Sequence, residues 1–341
     1  MPNLFNAVTL SDYAKRMTPG GALDQSIVET LARSNPIMSK IKWIPGNLPT
    51  GIQTTQRTSI PEPGIRRINR GVEQGKSTTK QIIDTCCIFE QRSLVDTELL
   101  ALYPQASREA FRKSEDLAFI EGFGVKVAKN LFYGDVSGVG GEETFNGISV
   151  RYPTIGGNMN VDNGYQVVSA GGTTAGKQTS AFLIGFGNQA TAGVYPMNST
   201  AGLTQRDLGE VEALDDEGRK FQAVSTLFNW KAGLTVRDPR ANALVRNIDI
   251  TKLSGMTSEE KFKVISSLIV AKNRIRNLQS GEIDYGYYVS RSMYDFIELY
   301  LFDKNNVHVT RQELAGKTPE LYITGIPVLR CDEILETEAV Y

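Results

Sequence analysis

The first residues in this sequence whose types and spacing could do chemistry are the glycines at the end of an apolar run. Segment 182–193, FLIGFGNQATAG, places Gly185, Gly187 and Ala190 in the G-x-G-x-x-A spacing of a dinucleotide-binding turn, and Asp207 lies about twenty residues further on. Such a turn must open directly into a helix, whose N-terminal amides and dipole hold the pyrophosphate. The residues after Ala190 include Gly193, Pro196 and Gly202, which no helix tolerates together. The expectation is a strand ending in a glycine turn, with no cofactor. A second lure is GVEQGKST at 71–78, but three residues separate Gly71 from Gly75 where a phosphate loop needs four. Neither IRRINR before it nor TTKQII after it reads as the required strand or helix.

Other chemistries find no constellation. His308 is the sole histidine and lies in the polar stretch NNVHVTRQEL, and no G-x-S-x-G offers a serine nucleophile. Cys86 and Cys87 are adjacent and Cys331 stands apart, so there is neither a C-x-x-C metal spacing nor an even disulfide framework. These cysteines read as small buried residues. The carboxylate pairs Glu142-Glu143, Asp215-Asp216 and Glu259-Glu260 sit in turns or at a helix start, where solvated charge is the ordinary role. No catalytic, cofactor or metal residue is predicted, and the chain reads as a non-enzyme.

The elements that must position the remaining candidates come next. A hydrophobic content of 40% and a charged content of 22% over 341 residues predict a folded chain of two or more lobes. A formal charge of −1 provides no basic surplus for gripping nucleic acid. No apolar run reaches the length of a membrane span, and the N-terminus lacks a signal-peptide core, so a compartment that keeps thiols reduced is expected. Residues 1–40 read as an arm with two short helical stretches, the second closed by Asn35-Pro36. Two extended runs, 52–60 and 78–90, flank a tip rich in proline and arginine and predict a long two-stranded excursion. A lone hairpin cannot bury its own faces, so this one needs a neighbour.

A helix is predicted over 105–133, with Leu117, Ile120, Gly124, Val127 and Leu131 on one face. Charge from Arg112, Lys113, Glu115, Asp116, Glu121, Lys126 and Lys129 falls elsewhere on it. Residues 134–178 read as turns and short strands, and apolar runs alternate with turns from 179 to 250. Thr257 to Glu260 forms a capping box for a helix running towards Gly281. DYGYYVS then reads as a strand, RSMYDFIELYLFD as a helix and LYITGIPVLRCDEI as one final strand.

The basic cluster Arg66, Arg67, Arg70, Lys76 and Lys80 is the one candidate site. It lacks the interleaved aromatics that stack bases. It reads instead as the rim of a hairpin that pairs with acidic residues on a neighbouring subunit, or as charge that discourages uncontrolled strand pairing.

The order of these parts resembles the Hong Kong 97-type major capsid proteins of tailed phages, podovirus-like members in particular. The stretches that carry the likeness are GNLPTGIQTTQRTSIP into GVEQGKSTTKQ, FRKSEDLAFIEGFGVKVAKNLFYGD into FNGISVRY, FNWKAGLTVRDPRANALVRNID, and YYVSRSMYDFIE with LYITGIPVLRCDEI. The resemblance implies an α+β fold with an N-terminal arm (1–45), an elongated β-hairpin loop (46–90), a peripheral domain with a spine helix (91–175), an axial domain (176–317) and a C-terminal strand returning to the peripheral domain (318–341). It implies a subunit that self-assembles into the pentamers and hexamers of an icosahedral shell around double-stranded DNA, bound without sequence specificity. A portal protein, a separate scaffolding protein and a decoration or cement protein are the implied partners. The loop begins within fifty residues, so a cleaved scaffolding segment is expected to be absent. The virion, assembled in a bacterial host's cytoplasm, is the implied location. An encapsulin-like compartment of the same fold is the related alternative, and a nucleotide-dependent enzyme the alternative of another class.

Overall fold

The computed structural model describes residues 35–138, 143–157, 163–215, 217–276, 281–302, 309–312 and 320–341. Residues 1–34 of the expected arm, and His308, lie outside the described residues. In chain order the elements are α1 (Ile37–Lys40), β1 (Trp43–Pro45), β2 (Gly51–Ser59), β3 (Thr78–Asp96), α2 (Thr97–Ala101), α3 (Gln105–Tyr133), α4 (Ile148–Arg151) and β4 (Val167–Ser169). There follow β5 (Gln178–Phe186), β6 (Thr191–Tyr195), β7 (Leu203–Leu214), β8 (Lys220–Val236), β9 (Ala243–Asp249), α5 (Ser258–Arg274), β10 (Asp284–Val289), α6 (Arg291–Tyr300), β11 (Val309–Gln312), β12 (Glu320–Ile323) and β13 (Ile326–Arg330).

The chain forms two compact units, and β3, α3 and β8 contribute residues to both. The larger unit comprises Ser34–Cys86, Ala128–Ser199 and Gly233–Tyr341. Its main sheet runs β11-β12-β13-β10-β5-β9-β4. Every residue of β5 and β9 is buried, which explains the continuous apolar run AFLIGF in β5, while β9 buries Arg246, Asn247 and Asp249 beside its apolar residues. The α5 residues Val264, Ile265 and Leu268 and the α6 residues Met293, Phe296 and Ile297 join one core with β5, β9 and β10. Thr257 and Glu260 form the expected capping box on α5.

The final strand is a correction. LYITGIPVLR is a hairpin, because Thr324 and Gly325 both take positive φ (48° and 86°) and reverse the chain between β12 and β13.

The smaller unit contains Cys87–Val127 and Thr200–Ala232. Its β7–β8 hairpin pairs from Leu203 opposite Trp230 to Leu214 opposite Lys220. Val95, Leu99, Leu100, Tyr103 and Phe111 form its buried cluster. Phe228 of β8 packs against Phe119 at 5.6 Å and Phe123 at 6.3 Å between ring centroids.

The buried face of α3 corrects the sequence reading in the first half of the helix, whereas Val127 and Leu131 of the expected stripe are buried, at 0% and 1%. Leu117 and Ile120 are exposed, at 61% and 39%, while Phe111, Glu115, Asp116 and Phe123 are buried. Aromatic rings bury far more area than the stripe of aliphatics they displace, so they set the helix rotation. The charge this face carries is tolerable because it is partnered. Arg112 meets Asp207 at 3.0 Å and donates to Thr226 Oγ1, and Gln205 donates to Asp116 at 2.9 Å. Burial raises the Asp116 carboxyl above its ordinary value, against the pull of the Arg112 charge.

Candidate intersubunit surface

The basic cluster rides on a two-stranded ribbon. β2 and β3 pair antiparallel from Gly51 opposite Thr85 to Arg57 opposite Thr79, where the register shifts. Threonine, isoleucine and glutamine dominate both strands and suit a ribbon exposed on both faces. Hydroxyls close its outer end, Thr78 Oγ1 lying 2.8 Å from Thr58 Oγ1 and 2.7 Å from Ser59 Oγ.

Three contacts root the ribbon in the larger unit. Arg151 of α4 places Nη1 2.9 Å from Asp84 Oδ1 on β3, with the side chains only 15% and 4% exposed. The same guanidinium donates to the Asn146 and Leu234 carbonyls. Gln56 donates to the Val236 and Arg237 carbonyls, and Asn47 makes two bonds to the Gln53 main chain. Gly51 is required here, since a Cβ at its φ of 158° would lie 2.0 Å from the Asp84 carbonyl oxygen.

Beyond Ser59 the chain leaves regular structure until Thr78, and every residue of that tip is exposed. Arg70 N–H bonds the Arg67 carbonyl in a turn through Asn69, which has a φ of 63°. Arg66, Arg67, Arg70 and Lys76 therefore share one loop, and none has an ion-pair partner among the described residues. Lys80 stands apart on β3, opposite Gln56. Interleaved with the cations are Ile60, Ile65 and Ile68, exposed at 83%, 96% and 92%. Three isoleucines held in water at such exposure forgo roughly 1.5–3 kcal/mol each of burial free energy, which a partner surface would recover.

Lys80 belongs to a different feature that the sequence reading missed. A groove of about 950 Å³ lies within the larger unit, bounded by Thr55–Thr58 and Lys80 of the ribbon and by the segments around Arg151 and Arg237. Arg57 and Arg237, not singled out from sequence, line it. The signal was Arg57 itself, a cation in the middle of a threonine-rich strand.

The dinucleotide-like turn is structural. β5 passes through Gly187–Ala190 directly into β6, a strand where a cofactor site needs a helix. A Cβ on Gly185 would lie 2.5 Å from Tyr285 Cε1, so packing explains that glycine. GVEQGKST falls in the tip and into β3. Other polar groups are equally committed to holding the fold. Glu338 accepts from Tyr133 Oη and Ser180 Oγ, and burial raises its carboxyl above the ordinary value. Burial likewise raises the Tyr133 hydroxyl. Arg246, fully buried, donates to Ser149 and the Tyr152 carbonyl beneath the Tyr341 ring. Burial pushes the Cys331 thiol up to about 12, which leaves it unreactive. Among the described residues no cluster of His, Cys, Asp and Glu could hold a metal, and no helix is long and apolar enough to cross a membrane.

Solved structures that this chain resembles include phage capsids. No curated protein matches the chain. A structure of bacteriophage epsilon15 matches with a TM-score of 0.75 at 26% identity, covering 100% of this chain and 99% of that one. The capsid of bacteriophage JBD30 matches with a TM-score of 0.52 at 12% identity, covering 93% and 99% respectively, and supports the fold alone. The holo-SrpI encapsulin complex of Synechococcus elongatus PCC 7942 aligns at a TM-score of 0.42 and 13% identity over 72% of this chain and 98% of that one, too distant to carry an argument. The α+β architecture is therefore of the Hong Kong 97 type. The model of the family described as major capsid protein GP7 matches residues 18–341, and the chain belongs to that family of tailed-phage major capsid proteins.

Proposed function

We propose that copies of this chain close into the pentamers and hexamers of an icosahedral shell that encloses double-stranded DNA, with no catalytic activity of its own. The observation that carries this reading is the ribbon tip, where exposed isoleucines and unpaired arginines stand on a rooted stem. In this reading residues 46–90 lie over an adjacent copy, and Arg66, Arg67, Arg70, Lys76 and Lys80 meet acidic residues there. The arm (1–45), the peripheral domain (91–175, rejoined by 318–341) and the axial domain (176–317) take the roles their resemblance implies. Scaffolding, portal and decoration proteins are the further partners, and assembly takes place in the host cytoplasm. A nearly neutral chain allows many copies to pack without strong self-repulsion and holds enclosed DNA loosely.

Electron microscopy of the chain co-expressed with its neighbouring genes tests this. Uniform closed particles are expected, and a small oligomer under all conditions would overturn it. The triple variant Arg66→Glu/Arg67→Glu/Arg70→Glu is expected to stay folded but to lose closed particles, and normal particles from it would refute the role of the tip.

A further inference from the structure

We infer that the groove beside the ribbon stem binds a small multivalent oxyanion of the phosphate class, held between the stem and the body of one chain. The inference goes beyond the shell reading, because both walls of the site belong to a single copy and to its larger unit.

The groove carries more positive charge than its own walls neutralise. Five basic side chains and one carboxylate, Asp238, line its volume of about 950 Å³. Arg240 takes up that carboxylate, with Nε 2.9 Å from Oδ1 and Nη2 3.0 Å from Oδ2. Arg151 is matched by Asp84. Arg57, Lys80 and Arg237 have no carboxylate among the described residues. Cations gathered around one concave space repel one another, and are screened less there than in open water. A multivalent anion turns that repulsion into attraction.

Arg237 supplies the directional part. Its Nη1 donates to the Asn188 carbonyl at 2.9 Å, which holds the guanidinium in place. The Nε edge of a guanidinium is one that grips an oxyanion through two parallel bonds. In Arg240 that edge is filled by Asp238, whereas in Arg237 the Nε is buried and has no acceptor. A donor left so is costly, and an oxyanion in the groove supplies the missing acceptor.

Lys80 approaches from the stem. It lies opposite Gln56 in the ribbon register, and Gln56 donates to the Val236 and Arg237 carbonyls. Directly opposed residues share a face, so Lys80 is carried on the face that meets the body. Arg57 comes next along β2, falls on the alternate face and contributes charge at the rim. Thr55 and Thr154 add hydroxyl-bearing side chains to the lining, which suits a ligand with several acceptor oxygens.

The same lining argues against other ligands. Its one aromatic residue, Tyr152, is fully buried and donates its hydroxyl to the Pro239 carbonyl, so no ring is offered for a nucleobase to stack on. A monocarboxylate would neutralise only one of the three unmatched charges. The volume is that of a site for a molecule of several linked groups, which favours two or three joined phosphates over a single one. Once bound, such a ligand ties the stem to the body beside the three contacts that already root it.

The test is a titration of the soluble full-length chain with inorganic pyrophosphate, read by calorimetry and thermal melting. Saturable binding at one site and a rise in melting temperature are expected, since a ligand that binds only the folded state stabilises it. Lys80→Gln/Arg237→Gln, with unchanged circular dichroism, should weaken binding by about tenfold or more through lost charge-assisted contacts. Arg66→Gln/Arg70→Gln removes as much charge from the ribbon tip and should leave the affinity unchanged. Acetate at equal ionic strength should not compete. A short DNA duplex then identifies the source of the phosphate. Duplex binding that weakens in the groove variant assigns the site to the DNA backbone, and no duplex binding assigns it to a free oxyanion. Absence of saturable pyrophosphate binding, displacement by acetate, or equal affinity in the two double variants would each overturn the inference. The measurement needs no particles, so its failure and the failure of the shell reading are separate results.

Discussion

Replacing Asp84 should detach the root of the ribbon, at a cost set by the geometry. Its carboxylate is 4% exposed and meets the Arg151 guanidinium at 2.9 Å. Asp84→Ala leaves a guanidinium in a site only 15% exposed, deprived of its countercharge. Removing one partner of such a buried pair costs about 3–5 kcal/mol. Arg151 keeps the carbonyls of Asn146 and Leu234 as acceptors, which places the expected loss near the lower end, about 3 kcal/mol. The assay is urea unfolding of subunits released from particles, followed by tryptophan fluorescence. Glu90→Ala serves as the control, because its ion pair with Arg92 spans 3.9 Å between exposed side chains and should leave the midpoint unmoved. The double variant Asp84→Ala/Arg151→Met removes both charges and should recover most of the loss, to within about 1 kcal/mol of the wild type. A loss under about 1 kcal/mol in the single variant, or a double variant no more stable than the single, would refute the argument that this pair anchors the ribbon.

Other contacts carry outcomes of their own. Gly185→Ala forces a methyl to within 2.5 Å of the Tyr285 ring and 2.7 Å of Ile283 Cγ2, so unfolding should shift by about 1–3 kcal/mol, with calorimetry showing no nucleotide binding before or after the change. Phe123→Ala should cost about 3–5 kcal/mol and Leu117→Ala under about 0.5 kcal/mol, the reverse of what the 3,4 stripe on α3 implies, and thermal melts of the two variants decide it. Burial holds the Glu338 carboxyl above its ordinary value of 4.5, so the folded chain binds this proton more tightly than the unfolded one does. Its contribution is complete below the unfolded value and is lost as pH rises through the raised folded one. Hydrogen-exchange protection of the Glu338 amide, which bonds the Gln178 carbonyl, should accordingly fall as pH rises above the ordinary carboxyl value of 4.5, and Glu338→Gln should flatten that profile.

Much of this molecule was legible in one dimension because its signals are local. The length of α3, the capping box at Thr257 and the ribbon with its basic tip depend on spacing and turn chemistry between near neighbours. So does the rejection of Gly185-x-Gly187 as a cofactor turn, since the dozen residues after Ala190 decide whether a helix can start there. The rotation of α3 was legible at Val127 and Leu131, which are buried, and not in the first half of the helix. Two apolar stripes compete on that helix, and only the position of Phe228, on a strand distant in sequence, selects the aromatic one. The same holds for the turn at Thr324, where a β-branched residue takes a left-handed conformation that its own preferences oppose.

The groove lies at the far end of this scale. Arg57, Lys80 and Arg237 are widely separated along the chain, and each alone is an ordinary surface cation. The sequence by itself determined that the chain projects a long two-stranded ribbon with a basic tip, because composition and short-range pattern suffice for that. Tertiary structure alone decided which cations converge, which carboxylate cancels which, and which strand edges stay open, because those depend on distances that only the folded chain sets.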